Sequence, residues 1–170
     1  MPDINFEIVK YYTGVGSRKT PENIKSVMTA LASKLELMGY ILRSGGAEGA
    51  DKAFENGVKN YLHKDIYLAK HCTLAAMEIA KKFHPAWGAC SDYAKKLHGR
   101  NAFQVLGGGL ECKSQFLVCW TPDGCISHKT RSIETGGTGT AISIADHYKI
   151  EIINLKIDSH LNRILSFINK

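Results

Sequence analysis

The sequence predicts an α/β domain built on a mostly parallel sheet with helices on both faces. Two observations carry this. Short β-favouring runs alternate with segments of helical period, and three turns rich in glycine and hydroxyl residues open into helical segments. These turns are Thr13-Gly14-Val15-Gly16-Ser17-Arg18, Ser44-Gly45-Gly46-Ala47-Glu48-Gly49-Ala50-Asp51 and Glu134-Thr135-Gly136-Gly137-Thr138-Gly139-Thr140. With 170 residues, 44% hydrophobic and 22% charged, the chain fits one domain, 1–170, with enough core to need neither disulfides nor a structural metal.

The first strand is expected over residues 8–13, where Ile8, Val9, Tyr11 and Tyr12 precede the first turn. Thr20 as N-cap and Pro21 as first residue start a helix carrying Ile24, Val27, Met28, Leu31, Leu35 and Met38, which Gly39 ends. Residues 40–42 form a second strand, residues from Asp51 to Val58 a helix, and residues 66–68 a third strand. Residues 70–110 read as a helical insert, with helices at 73–83, 91–98 and 101–106 broken by Pro85, and this excursion holds His71, His84, Trp87, His98, Arg100 and Asn101. Residues 114–120 are the most apolar strand, with Thr121-Pro122-Asp123-Gly124 as its exit. A helix over 139–148, a last strand over 150–155 and an amphipathic helix from Ser159 complete the chain.

A glycine-rich helix start leaves backbone N–H groups facing outward where the dipole favours an anion, so each turn is a candidate phosphate cradle. Glycine also serves as a helix C-cap or a point of close packing, but three such turns, each read as following a strand, favour a nucleotide or phosphosugar cleft. The net charge of +6 admits an anionic ligand, yet the lysines are scattered, with Lys81-Lys82 and Lys95-Lys96 the densest pairs, and no duplex-DNA surface is expected. Cys72, Cys90, Cys112, Cys119 and Cys125 show neither a CxxC pair nor zinc spacing. They read as reduced thiols, and neither a metal nor a cofactor is expected. The start Met1-Pro2-Asp3-Ile4 has no leader pattern and no apolar run approaches a membrane span, so a cytoplasmic protein is expected.

On these turns the chain resembles, over nearly its whole length, the SLOG superfamily. That Rossmann-like group includes the Lonely Guy phosphoribohydrolases, the nucleotide-binding domain of DNA-processing protein A, and nucleotide-signal sensors. With His98-Gly99-Arg100-Asn101 and Cys119-Trp120-Thr121-Pro122-Asp123-Gly124 it is similar to the small phage-encoded, DNA-processing protein A-like members, which places it in a bacterial or phage-infected cell. The resemblance implies that Gly136, Gly137, Gly139 and Thr140, with Thr138 between them, hold a nucleotide phosphate. Gly14, Gly16, Ser17 and Arg18 would close the other side, and Ser44, Gly45, Gly46 and Asp51 would approach the sugar. Arg100, Asn101 and Thr121 complete the expected ligand contacts, with Trp87 or Trp120 stacking on a base. An NAD-dependent dehydrogenase is disfavoured, because Gly14-Val15-Gly16 has no third glycine in register.

Lonely Guy enzymes carry a catalytic glutamate three residues beyond the threonine of their glycine motif, where this chain has Ser143. Glu48, Asp51 and Glu134 remain as carboxylates that either stabilise an oxocarbenium-like sugar and activate water or merely favour helix starts. The leading expectation is a protein that binds a nucleoside phosphate or ribosyl phosphate, with N-glycosidic hydrolysis (a nucleoside 5'-monophosphate N-glycosidase) as the chemistry to test. Two alternatives stand beside it: sequestration or sensing of a nucleotide defence signal without chemistry, and single-stranded DNA binding in recombination. The resemblance also implies a homo-oligomer paired through helices.

Overall fold

A computed structural model describes residues 7–170, so residues 1–4, read above for a leader, lie outside the described residues. Five parallel strands, β1 (Lys10–Gly14), β2 (Tyr40–Ser44), β3 (Lys64–Ile66), β4 (Phe116–Cys119) and β5 (Glu151–Asn154), form one sheet in the order β3-β2-β1-β4-β5. Six helices flank it: α1 (Glu22–Leu37), α2 (Ala50–Gly57), α3 (Leu74–Lys81), α4 (Asp92–Leu106), α5 (Thr138–His147) and α6 (Asp158–Ile168). This is the expected Rossmann-like α/β architecture.

Strand alternation divides the core into two layers. Along β4, Phe116 and Val118 pack with Met28, Leu31, Phe54 and Ile164 of α1, α2 and α6. Leu117 and Cys119 pack with Ala102, Val105, Ile142 and Ile144 of α4 and α5 on the other face. The strands are thus covered on both sides, as a parallel sheet requires.

Several boundaries differ from expectation. β1 begins at Lys10, because Lys10 pairs with Tyr40, the first residue of β2 after Gly39, and Ile8 and Val9 are exposed. β3 occupies residues 64–66 rather than 66–68, since its partner β2 ends at Ser44, opposite Ile66. Pro21, not Thr20, caps α1; the Thr20 hydroxyl instead donates to the Ser17 carbonyl at 2.6 Å, folding the first turn back on itself. The two helices expected over 91–98 and 101–106 are one helix, α4. Gly99 does not interrupt it: a Cβ at that position would lie 2.3 Å from Cys72 Sγ and 2.9 Å from Met77 Cγ, so the glycine is a notch in which α3 rests. The third glycine turn does not follow a strand directly; β4 ends at Cys119, and a short helical turn, Ile133–Thr135, leads into it.

Gly99→Val should overpack the α3–α4 contact and lower stability by about 1–3 kcal/mol. Urea denaturation checks this, and an unchanged midpoint would show that α3 yields freely.

Candidate functional site

In a parallel sheet the ligand crevice opens where strand order reverses, outside the strand carboxyl ends. That point lies between β1 and β4. A cavity of about 560 Å³ occupies it, within the range of small-ligand sites.

Gly16, Ser17, Arg18 and Lys19 supply one wall, and the second turn contributes Ala47 and Asp51. Ala94, Leu97, His98, Asn101 and Gln104 of α4, together with Arg100, supply another; their spacing of three and four residues puts most of them on one stripe of that helix. Residues 133–138 close the far side.

Asp51 sits at the base of the cavity and is only 4% exposed. Burial raises its carboxyl to about 6, although Arg100 and the N–H groups of Ala47, Gly16 and Gly45 act in the opposite direction. Ala47 N–H donates to its Oδ2 at 3.4 Å. Arg100 Nη1 donates to the Gly45 carbonyl at 2.7 Å, while Arg100 Nε and the buried Gln104 Oε1 have no hydrogen-bond partner among the described residues.

The glycine turn at α5 is held from behind. The Asp123 carboxylate accepts from the Ser132 hydroxyl at 2.6 Å and from the Thr135 hydroxyl. Burial alone would raise the Asp123 carboxyl, but hydrogen bonds from Ser132, Thr135 and Thr121 outweigh it and hold the group below the usual carboxylate range. Gly136 takes φ +62°, a conformation that a side chain would strain, and Asn101 Nδ2 donates to the Gly137 carbonyl at 3.0 Å. Neither Gly137 N–H nor Thr138 N–H meets a protein acceptor among the described residues. Such a helix start suits an anion.

Of the residues expected from sequence, Gly16, Ser17, Arg18, Asp51, Arg100, Asn101, Glu134, Gly136, Gly137 and Thr138 line the cavity. Others lie behind the wall. Gly14 is buried beneath Phe54, the Ser44 hydroxyl donates to the Gly14 carbonyl at 2.6 Å, and Gly45 is packed between Arg100 and Asp51. Gly46 faces Ile66 and Leu68. Thr121 accepts from Asn154 Nδ2 at 2.8 Å, and Gly139 is covered by Arg131. The Thr140 hydroxyl is shared between His98 Nδ1, at 2.9 Å, and Arg131. Glu48 lies instead in a groove between α1 and α2 with Lys25, Thr29 and Lys52. Neither tryptophan reaches the cavity, because Trp120 is in the core and Trp87 packs against His84. Ser143 is fully buried and bonded to His128 Nδ1 at 2.8 Å and Arg131 Nη1 at 3.3 Å, outside the cavity lining.

Lys19, Gln104 and Pro122, which are not among the site residues expected from sequence, also line the cavity. Gln104 left a signal, as the lone polar residue in Ala102-Phe103-Gln104-Val105-Leu106. At the cavity's edge His84, Cys90 and His98 bring their ligating atoms within 4.8 Å of one another, although the sequence shows no zinc spacing. Burial, with neighbouring His84, Arg131 and Arg100, pushes His98 down to about 4.

No family model, curated protein or solved structure matches the chain. No described helix is long and apolar enough to cross a membrane.

Asp51 ionises near 3.8 when unfolded and near 6 when folded, so its ionisation opposes folding above about pH 6 and is without effect below the unfolded value. The stability of the wild type relative to Asp51→Asn should therefore fall by about 1–3 kcal/mol between about pH 4 and about pH 7. Urea denaturation of both proteins across that interval measures it, and parallel curves would contradict the assignment.

Proposed function

We propose that the protein binds a nucleoside phosphate or related ribosyl phosphate in the cavity between β1 and β4, as a member of the SLOG superfamily. The observation that carries this reading is the pairing of the unsatisfied N–H groups of Gly137 and Thr138 with three cationic side chains, Arg18, Lys19 and Arg100, around one cavity. A phosphate at the α5 start would meet backbone donors and the dipole, with Arg18 adding a charge-assisted bond. Val15, Ala94, Leu97 and Pro122 offer apolar surface for a base, while Asn101 and Ser17 offer polar side chains for sugar or base edges. The cavity volume suits one nucleotide better than the several of a single-stranded DNA site.

Asp51 is the buried carboxylate of the lining, and its raised pKa suits a group that gives up a proton near neutrality. In N-glycosidic hydrolysis it would protonate the departing base, or stabilise the oxocarbenium-like sugar once ionised. The placement of Ser143, tied to His128 and Arg131 away from the cavity, favours a second reading in which the nucleotide is held and not cleaved.

Mass spectrometry of small molecules released on denaturing the purified protein, followed by a nucleotide panel offered to the emptied protein, tests both readings. Arg18→Ala should weaken binding of a nucleoside monophosphate by about 10- to 100-fold and leave the weaker binding of the free nucleoside unchanged. Equal loss for both ligands would remove the phosphate from that wall. Free base released by the wild type but not by Asp51→Asn would establish hydrolysis, and an intact nucleotide with no base from any monophosphate would establish sequestration.

A further inference from the structure

Three ligand-type side chains converge at the loop joining α3 to α4. His84 follows the last turn of α3, Cys90 ends a short helical turn (Trp87–Ala89) just before the α4 cap Ser91, and His98 stands on α4. Cys90 Sγ lies 3.6 Å from His84 Nε2 and 3.8 Å from His84 Nδ1, and the two imidazole rings are 4.3 Å apart between centroids. With zinc–nitrogen bonds of about 2.1 Å and zinc–sulfur bonds of about 2.3 Å, a tetrahedral ion separates its nitrogen and sulfur ligands by about 3.6 Å. The three side chains therefore stand at a spacing one ion can bridge.

We propose that His84, Cys90 and His98 form a binding site for a zinc-class divalent cation, with the fourth position left to water.

The surroundings fit this use. His98 Nδ1 is engaged by the Thr140 hydroxyl, which fixes the ring and directs Nε2 to the ion, as partners of metal-bound histidines do. His84 Nδ1 accepts from the Ala86 N–H at 3.1 Å. Coordination through Nε2 moves the ring proton to Nδ1, and the Ala86 N–H then turns to solvent, which the exposure of Ala86 allows. On binding, the Cys90 thiol releases its proton to solvent, and the thiolate's negative charge offsets the nearby Arg131 guanidinium. Two imidazoles and a thiolate select zinc over magnesium or calcium, whose ligands are oxygens. A bound ion would clip the loop to α4 at the edge of the cavity, since His98 also lines its wall. The site is independent of which ligand the cavity takes.

The 170-residue chain, freed of metal by chelation, would be titrated with Co²⁺ as probe. One equivalent giving intense visible bands of tetrahedral cobalt and a sulfur-to-cobalt charge-transfer band, both displaced by Zn²⁺, is the expected result. Cys90→Ser and His84→Ala, shown folded by circular dichroism, should bind at least about 100-fold more weakly. A measurement on the wild type alone guards against unfolded variants: Zn²⁺ should protect Cys90 from alkylation, read by peptide mass spectrometry, while the exposed Cys112 reacts equally with and without metal. Weak octahedral cobalt spectra identical in wild type and Cys90→Ser, or unaltered Cys90 alkylation at saturating Zn²⁺, would overturn the proposal.

Discussion

The buried Asp51 carboxylate, met by backbone N–H groups and faced by Arg100, is the interaction on which the site depends. It draws together the loops after β1 and β2, the start of α2 and the middle of α4. A lone carboxylate in that position would be costly, and its neutralisation by protonation or by Arg100 decides how the cavity floor behaves. The Arg100 guanidinium also ties α4 to the Gly45 carbonyl, so α4 cannot shift without disturbing the second glycine turn. The small residues there are a packing consequence, since a Cβ on Gly45 would fall 2.7 Å from Asp51 Oδ2 and 2.3 Å from Gln104 Nε2.

The opposite side of the cavity is organised by a second carboxylate with the contrary environment. Asp123 is ringed by hydroxyl donors and stays ionised, pinning the short helical turn that leads into α5. Behind α5, Arg131 spans from the Phe83 carbonyl to the hydroxyls of Thr140 and Ser143, so the insert and the glycine turn are joined through one guanidinium. The start of α5, where the Gly137 and Thr138 N–H groups meet no protein acceptor among the described residues, is thereby held in place.

The same α3–α4 insert brings His84, Cys90 and His98 to the cavity's edge. It is the part of the chain that departs most from simple alternation, and it supplies one whole wall of the site through α4. Loops and excursions carried on a fixed sheet are where function concentrates in α/β proteins.

The sequence by itself determined the alternation of strands and helices, the parallel sheet and the three glycine turns, because apolar periodicity and glycine chemistry act over a few neighbouring residues. It also pointed to Asp51, Arg100 and Asn101, through their places beside those turns and in the insert. Only the tertiary structure decided that Glu48 faces away between α1 and α2, that Trp120 belongs to the core, and that Ser143 is locked to His128 and Arg131. Strand ends followed the same rule: β3 stops where β2 gives it no further partner. The continuity of α4 through Gly99, and the meeting of Cys90 with two histidines, likewise depended on how α3 lies against α4. These outcomes are set by contacts between residues distant in the chain, and neither local spacing nor residue type encodes which long-range partner a side chain will meet.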